Sequence, residues 1–310
     1  MVLFQTPAES PRWMRWLVYS PLARIVIFVL AALGLAMAIA WVIKMSGFDP
    51  RSLPASTRSL IRFGIQLAAT VLAYVFLVKV IERRRISEMS ARMALPLTGF
   101  GLAAGVLLIT VVVAIMWLAG AYRIVGTNPQ VDWIVPLLTG GIGAAVSEEV
   151  MFRGVLYRVV EEGLGSIWAL AISGLLFGGI HLLNAGATLW SALAIAIEAG
   201  LLLGVIYHVT RSLWVCIGLH MGWNFAQGTV WGIPVSGTNE PGLLVSSRPG
   251  PEWLSGGAWG AEGSVVAVLV NLVVALVLLQ MARRRNTLVP ARRRARATMA
   301  AGTPVAEAPC

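Results

Sequence analysis

Two adjacent glutamates stand in the apolar stretch Ser147-Glu148-Glu149-Val150-Met151-Phe152-Arg153-Gly154, and the run before it, Trp133 to Val146, carries no charge. An ionised carboxylate in lipid costs at least about 2.5–3.5 kcal/mol, so acidic residues inside a span mark a functional site by default. On a helix the two side chains project about 100° apart, so they cannot share one role. Glu149 and Arg153 are i and i+4, the favourable order for an ion pair, which gives Glu149 a structural reading as the neutraliser of Arg153. Glu148 has no such local partner and is expected to turn into the bundle as a catalytic or ligand residue.

Two later runs each bring a histidine. His181 ends Phe177-Gly178-Gly179-Ile180-His181, where Phe177 and His181 share a helix face and the glycines admit a close neighbour. His220 and Asn224, also i and i+4, face one way. Alone, this pair reads equally well as interhelical hydrogen bonding, worth about 0.6 kcal/mol in membranes. His208, beside Arg211 at the end of a run, reads as an interface residue, and Asn271 as packing glue between helices. Glu198 lies deep in a run with no charge nearby. Three readings stand for it: protonated, paired with Arg153, or lining a cavity.

A glutamate with two histidines fits two chemistries. In one, Glu148, His181 and His220 hold Zn²⁺ or another divalent metal and leave a position for water, whose pKa falls to about 7. In the other no metal is needed: Glu148 and His181 polarise the water, while His220 and Asn224 hydrogen-bond the oxyanion. Both hydrolyse an amide. The sequence has no His-Glu-x-x-His, which excludes a zincin-type site. Its only aspartates, Asp49 and Asp132, fall near span ends, which excludes an aspartyl dyad, and Ser173-Gly174 lacks the preceding glycine of a rhomboid-type motif.

The elements that carry these residues are membrane spans. Of 310 residues 58% are hydrophobic and 12% charged, against about 25% charged in soluble domains, and mean hydropathy is +0.80. The expected fold class is all-α, a polytopic bundle of about eight transmembrane helices. Apolar runs of spanning length fall at 22–45, 64–81, 100–121, 133–157, 166–183, 187–207, 212–232 and 264–282. Arginines at 83–85, 283–285, 292–294 and 296 set both termini and the 82–99 loop on one side, expected to be cytoplasmic, and an even span count agrees. The net charge of +10 reads as this topology plus attraction to anionic headgroups, with no nucleic-acid partner.

No cleavable signal peptide is evident. The expected organisation is a segment 1–21 and a domain 22–282, followed by a basic, disordered tail 283–310. The domain has its core at 130–232 and an extracytoplasmic loop 233–263. That loop is expected to fold over the bundle, with Trp231, Trp253 and Trp259 at the interface. Cys216 and Cys310 make neither a disulfide framework nor a C-x-x-C site. By the 1.5 Å helical rise, these boundaries set His181 several ångströms too far outward to meet Glu148.

The three motifs resemble those of the CPBP family of intramembrane proteases, which includes the CAAX prenyl proteases and the bacterial Abi proteins. The family pattern is Glu-Glu-x-x-x-Arg, Phe-x-x-x-His and His-x-x-x-Asn, matched here by Glu148-Glu149 to Arg153, Phe177 to His181 and His220 to Asn224. The resemblance spans about 130–232 and implies an eight-helix fold with a site in a membrane cavity open to the cytoplasm. It implies Glu148 with His181 as water activators and His220 with Asn224 as oxyanion stabilisers, and it leaves the metal open. The expected protein is an endopeptidase of a bacterial inner membrane, acting on a peptide or membrane-protein substrate. The rival is a non-proteolytic role in bacteriocin immunity or membrane scaffolding. A proton-coupled transporter using Glu198 ranks last, since no inverted repeat supports it.

Overall fold

The computed structural model describes residue 4 and residues 6–291; the expectations for Arg292–Arg294, Arg296, Cys310 and the tail around them lie outside the described residues. Seven helices among the described residues are long and apolar enough to cross a membrane. They are α1 (Pro21–Met45), α2 (Ala55–Ile81), α3 (Ser87–Leu118), α4 (Ile134–Leu164), α5 (Ser166–Leu183), α6 (Leu189–Thr210) and, last in the chain, α8 (Val265–Arg284). The run expected at 212–232 is helix α7, Leu213–Phe225 continuing through Ala226–Val230. Its His220, Asn224 and Gln227 make it less apolar than the rest, and it packs in the interior. The architecture is thus an all-α polytopic bundle.

Local chemistry sets the helix starts. Ser20 Oγ accepts from the backbone N–H of Ala23, with Pro21 at the first helical position. Thr188 and Ser191 form a reciprocal capping box, and Ser264 caps α8. Each satisfies an otherwise orphan N–H. Several helices widen locally to π-type bonding, in α4 at Val150–Tyr157, immediately after Glu149, and in α6 at Ala196–Leu201, which includes Glu198.

Three spans are longer than expected: α2 begins at 55 rather than 64, α3 at 87 rather than 100, and α4 runs to 164 rather than 157. The added turns hold charges that hydropathy reads as loop. In α4 these charges are paired in the interior. Arg158 bonds Glu82 at 3.0 Å and Glu162 at 3.2 Å, and Arg24 of α1 bonds Glu82 at 2.8 Å and Glu162 at 2.5 Å. Arg84 joins Glu82 and Glu88. His208 is a further correction. It is buried rather than interfacial, with Nδ1 3.0 Å from Glu161 and from Tyr157 Oη. Arg211 also pairs with Glu161. These groups form one polar layer at the arginine-rich end of the bundle.

The longer α4 also removes the depth conflict. Helices α4 and α5 meet at Gly165, whose φ of +84° turns the chain. Counting from that corner at 1.5 Å per residue, Glu148 stands about 26 Å and His181 about 24 Å into the bundle, the same level.

Small residues bring backbones into contact. A Cβ on Gly218 of α7 would stand 2.2 Å from Thr98 O, and one on Gly101 of α3 2.3 Å from Val215 O. A Cβ on Gly178 of α5 would stand 2.2 Å from Ala192 O of α6. Asn271, by contrast, donates to Ala267 O of its own helix, so it does not glue helices together as expected.

At the opposite end, strands β1 (Arg123–Thr127) and β2 (Leu244–Ser247) pair antiparallel with a bulge between Ile124 and Gly126. The segment between α7 and α8 folds back on the bundle. Gln227 Nε2 donates to Pro234 O at 2.6 Å and Tyr122 Oη to Trp231 O at 2.8 Å. Trp253 is exposed, but Trp259 is buried with Phe152, Phe177 and Ile195, so it is a core residue rather than an interfacial anchor.

Candidate active site

The Phe177 ring is the hub on which the three motifs converge. Its centroid lies 4.8 Å from that of Phe152, 4.9 Å from His181 and 6.3 Å from His220. The Arg153 guanidinium carbon stands 4.7 Å from it, within cation–π reach. Residues from α4, α5 and α7 therefore share one neighbourhood, as the spacing implied.

Glu149 does more than neutralise Arg153. Its Oε1 accepts from Arg153 Nη1 at 2.8 Å and lies 2.9 Å from His220 Nδ1. All three side chains are buried. Arg153 Nη2 also donates to Ala199 O at 2.5 Å and Gly200 O at 3.2 Å of α6, binding α4 to α6. With Nδ1–H of His220 donated to a carboxylate, Nε2 is the atom left for chemistry.

Glu148 is the more accessible acid, its side chain 26% exposed. Its Oε2 has no hydrogen-bond partner among the described residues. Its closest charged neighbour is His220 Nε2, 3.9 Å from that same oxygen and too far for a hydrogen bond. His181 Nδ1 bonds its own helix at Phe177 O, 2.8 Å, which makes Nδ1 the donor and leaves Nε2 an acceptor. Asn224 Nδ2 donates to Gly140 O at 3.0 Å and so ties α7 to the start of α4, with its second N–H available.

Among the described residues no group of three or more His, Cys, Asp or Glu side chains is placed to hold a metal ion. Glu198 does not pair with Arg153. It is buried, and neither carboxyl oxygen has a partner among the described residues. Sequence reasoning also missed Glu262, which sits between Ala261 and Gly263 in a Gly-rich loop and reads there as solvated. It is 3% exposed, and only the loop's return to the bundle buries it.

Residues 130–226 match the Rce1-like family model, described as type II CAAX prenyl endopeptidase Rce1-like. The match covers all three motifs and supports the CPBP/CAAX protease family. At that level it indicates a membrane-embedded protease. No curated protein and no solved structure gives a match.

Proposed function

We propose that this chain is an intramembrane endopeptidase that hydrolyses a membrane-proximal peptide bond using Glu148 as general base. What carries the reading is the pair of distances from one histidine to both glutamates, 2.9 Å to Glu149 and 3.9 Å to Glu148. A buried acid orients the imidazole, and an accessible acid faces the same ring. The family match adds the reaction class.

In this mechanism the Glu148 carboxylate, assisted by His181, takes a proton from water as the oxygen attacks the carbonyl carbon. The negative charge that forms on the carbonyl oxygen is met by N–H groups of His220 and Asn224. Collapse breaks the C–N bond, and the proton held at Glu148 passes to the departing amine. Glu149 holds His220 in the donor orientation and stabilises it when charged. No step needs a metal ion.

The substrate is a peptide or membrane protein. The arginine-rich end, with both termini, faces the cytoplasm of a bacterial inner membrane, and the basic tail contacts anionic headgroups. The test is a comparison of membrane-proteome fragments from cells carrying wild type or Glu148→Gln at matched membrane levels. Fragments found only with wild type support the reading. Identical fragment sets across growth conditions reject it in favour of immunity or scaffolding.

A further inference from the structure

Glu262 lies outside every motif, in the segment between α7 and α8, yet its carboxylate is the acceptor for three donors. Ser236 gives its backbone N–H at 2.7 Å and its Oγ–H at 2.9 Å to Oε2, and Trp223 gives Nε1–H at 3.2 Å to Oε1. Trp223 sits on α7, three residues after His220 and one before Asn224. Ser236 in turn accepts at its carbonyl from Asn184 Nδ2, 3.0 Å, three residues after His181. One buried carboxylate therefore links Trp223, within α7, to Asn184, just past the end of α5.

The surrounding bonds hold that bridge rigidly. Trp190 of α6 donates to Gly263 O at 2.8 Å, and Gly237 N–H donates to Trp259 O at 3.0 Å, with Trp259 packed among Phe152, Phe177 and Ile195. Ser236 has φ +47°, a left-handed conformation that a non-glycine residue keeps only when its surroundings enforce it. Burial raises the Glu262 carboxyl above the ordinary carboxylate range, partly offset by the Ser236 hydrogen bonds and by His181.

We infer that Glu262 is a positioning residue for the proposed peptidase reaction, fixing His181 and His220 relative to one another through Ser236–Asn184 on one side and Trp223 on the other. Its role is geometric, and a displacement of about 1 Å at reacting groups can cost about 10²-fold in rate.

The test has two independent arms. In the first, the full chain in liposomes cleaves a quenched transmembrane-helix peptide or a farnesylated Cys-a-a-X peptide. Glu262→Ala is expected to lower kcat by about 10²-fold with KM changed less than about twofold. Glu262→Gln, which keeps one acceptor, recovers part of the loss. Trp223→Phe, which removes the N–H together with part of the buried indole, lowers kcat in the same direction, and adding it to Glu262→Ala produces less further loss than it causes alone.

In the second arm, ¹⁵N-histidine spectra of the folded chain resolve its three histidines, assigned by single His→Ala variants. Glu262→Gln is expected to shift the His181 and His220 signals and leave His208 unmoved. Wild-type kcat in a folded Glu262→Ala chain overturns the inference. If the wild-type chain cleaves neither peptide, the membrane-proteome comparison decides the peptidase reading and the spectra decide the geometric link: unmoved His181 and His220 signals overturn it, and shifted ones uphold that Glu262 positions the two histidines.

Discussion

Glu149 and His220 are 71 residues apart and meet at 2.9 Å inside the bundle, and the same Glu149 oxygen accepts from Arg153. The i, i+4 ion pair and the histidine orientation are therefore one unit. A carboxylate that receives both a guanidinium and an imidazole N–H is a charge-assisted acceptor, about twice as strong as a neutral one. It also fixes which imidazole nitrogen faces Glu148.

Removing Glu149 therefore affects both stability and activity. Glu149→Ala leaves the buried Arg153 charge without a counter-ion, held by the Ala199 and Gly200 carbonyls and the Phe177 ring, and breaking a buried pair costs about 3–5 kcal/mol. A markedly lower melting temperature in detergent and loss of cleavage are expected. Glu149→Gln should recover part of the stability but little of the rate. A Glu149→Ala chain that melts like wild type contradicts the unit described above.

Asn224 holds Gly140 with one N–H and in the proposed mechanism offers the other to the oxyanion. Asn224→Ala is expected to lower kcat by about 10²–10³-fold, the usual effect of losing one oxyanion donor, with KM little changed. A wild-type rate would reduce Asn224 to its bond with Gly140.

The helix contacts can be tested at glycines. Gly218→Ala pushes a methyl against Thr98 O, where a Cβ would stand 2.2 Å away, and the backbones must part at a cost of about 1–3 kcal/mol. Gly179 has nothing within 4 Å of its Cβ position, so Gly179→Ala should leave the melting temperature unchanged. Equal effects at the two sites would contradict the α3–α7 contact.

The polar layer at the arginine-rich end has a pH signature. Burial by itself would raise Glu82, but Arg158, Arg84 and Arg24 outweigh it and hold the carboxyl below its ordinary value. A depressed carboxyl contributes stability that is present above the unfolded value, about 4.3, and is lost as pH falls through the folded value. Melting temperature in detergent should therefore fall as pH drops below about 4.5. Glu82→Gln should flatten that acid limb and lower stability at neutral pH. An unchanged acid limb in Glu82→Gln would assign it to other groups.

Much of the site was legible because its information is local. The i, i+4 spacings of Glu149–Arg153, Phe177–His181 and His220–Asn224 place each pair on one helix face, and apolar runs cannot hide such residues. Non-local relations were not legible. The extent of α4 depended on Arg158, Glu161 and Glu162 finding partners on α1, just past α2 and on α6, so hydropathy ended the span at 157. Glu262 lies in a Gly- and Pro-rich loop without a motif, and Trp259 reads there as an interfacial anchor; the way the loop returns over the bundle buries both. Glu148 and Glu149 differ in environment through which face of α4 meets α7, and no single-helix pattern contains that.

Activation of the water by Glu148 is decided with purified chain in liposomes. Wild type and Glu148→Gln would be matched for melting temperature and given the same quenched transmembrane-helix and farnesylated Cys-a-a-X peptides. Because Glu148 Oε2 has no hydrogen-bond partner among the described residues and its side chain is 26% exposed, Glu148→Gln should fold like wild type. Wild type is expected to cleave and Glu148→Gln is expected not to. Cleavage at the wild-type rate by a folded Glu148→Gln chain would contradict activation by Glu148.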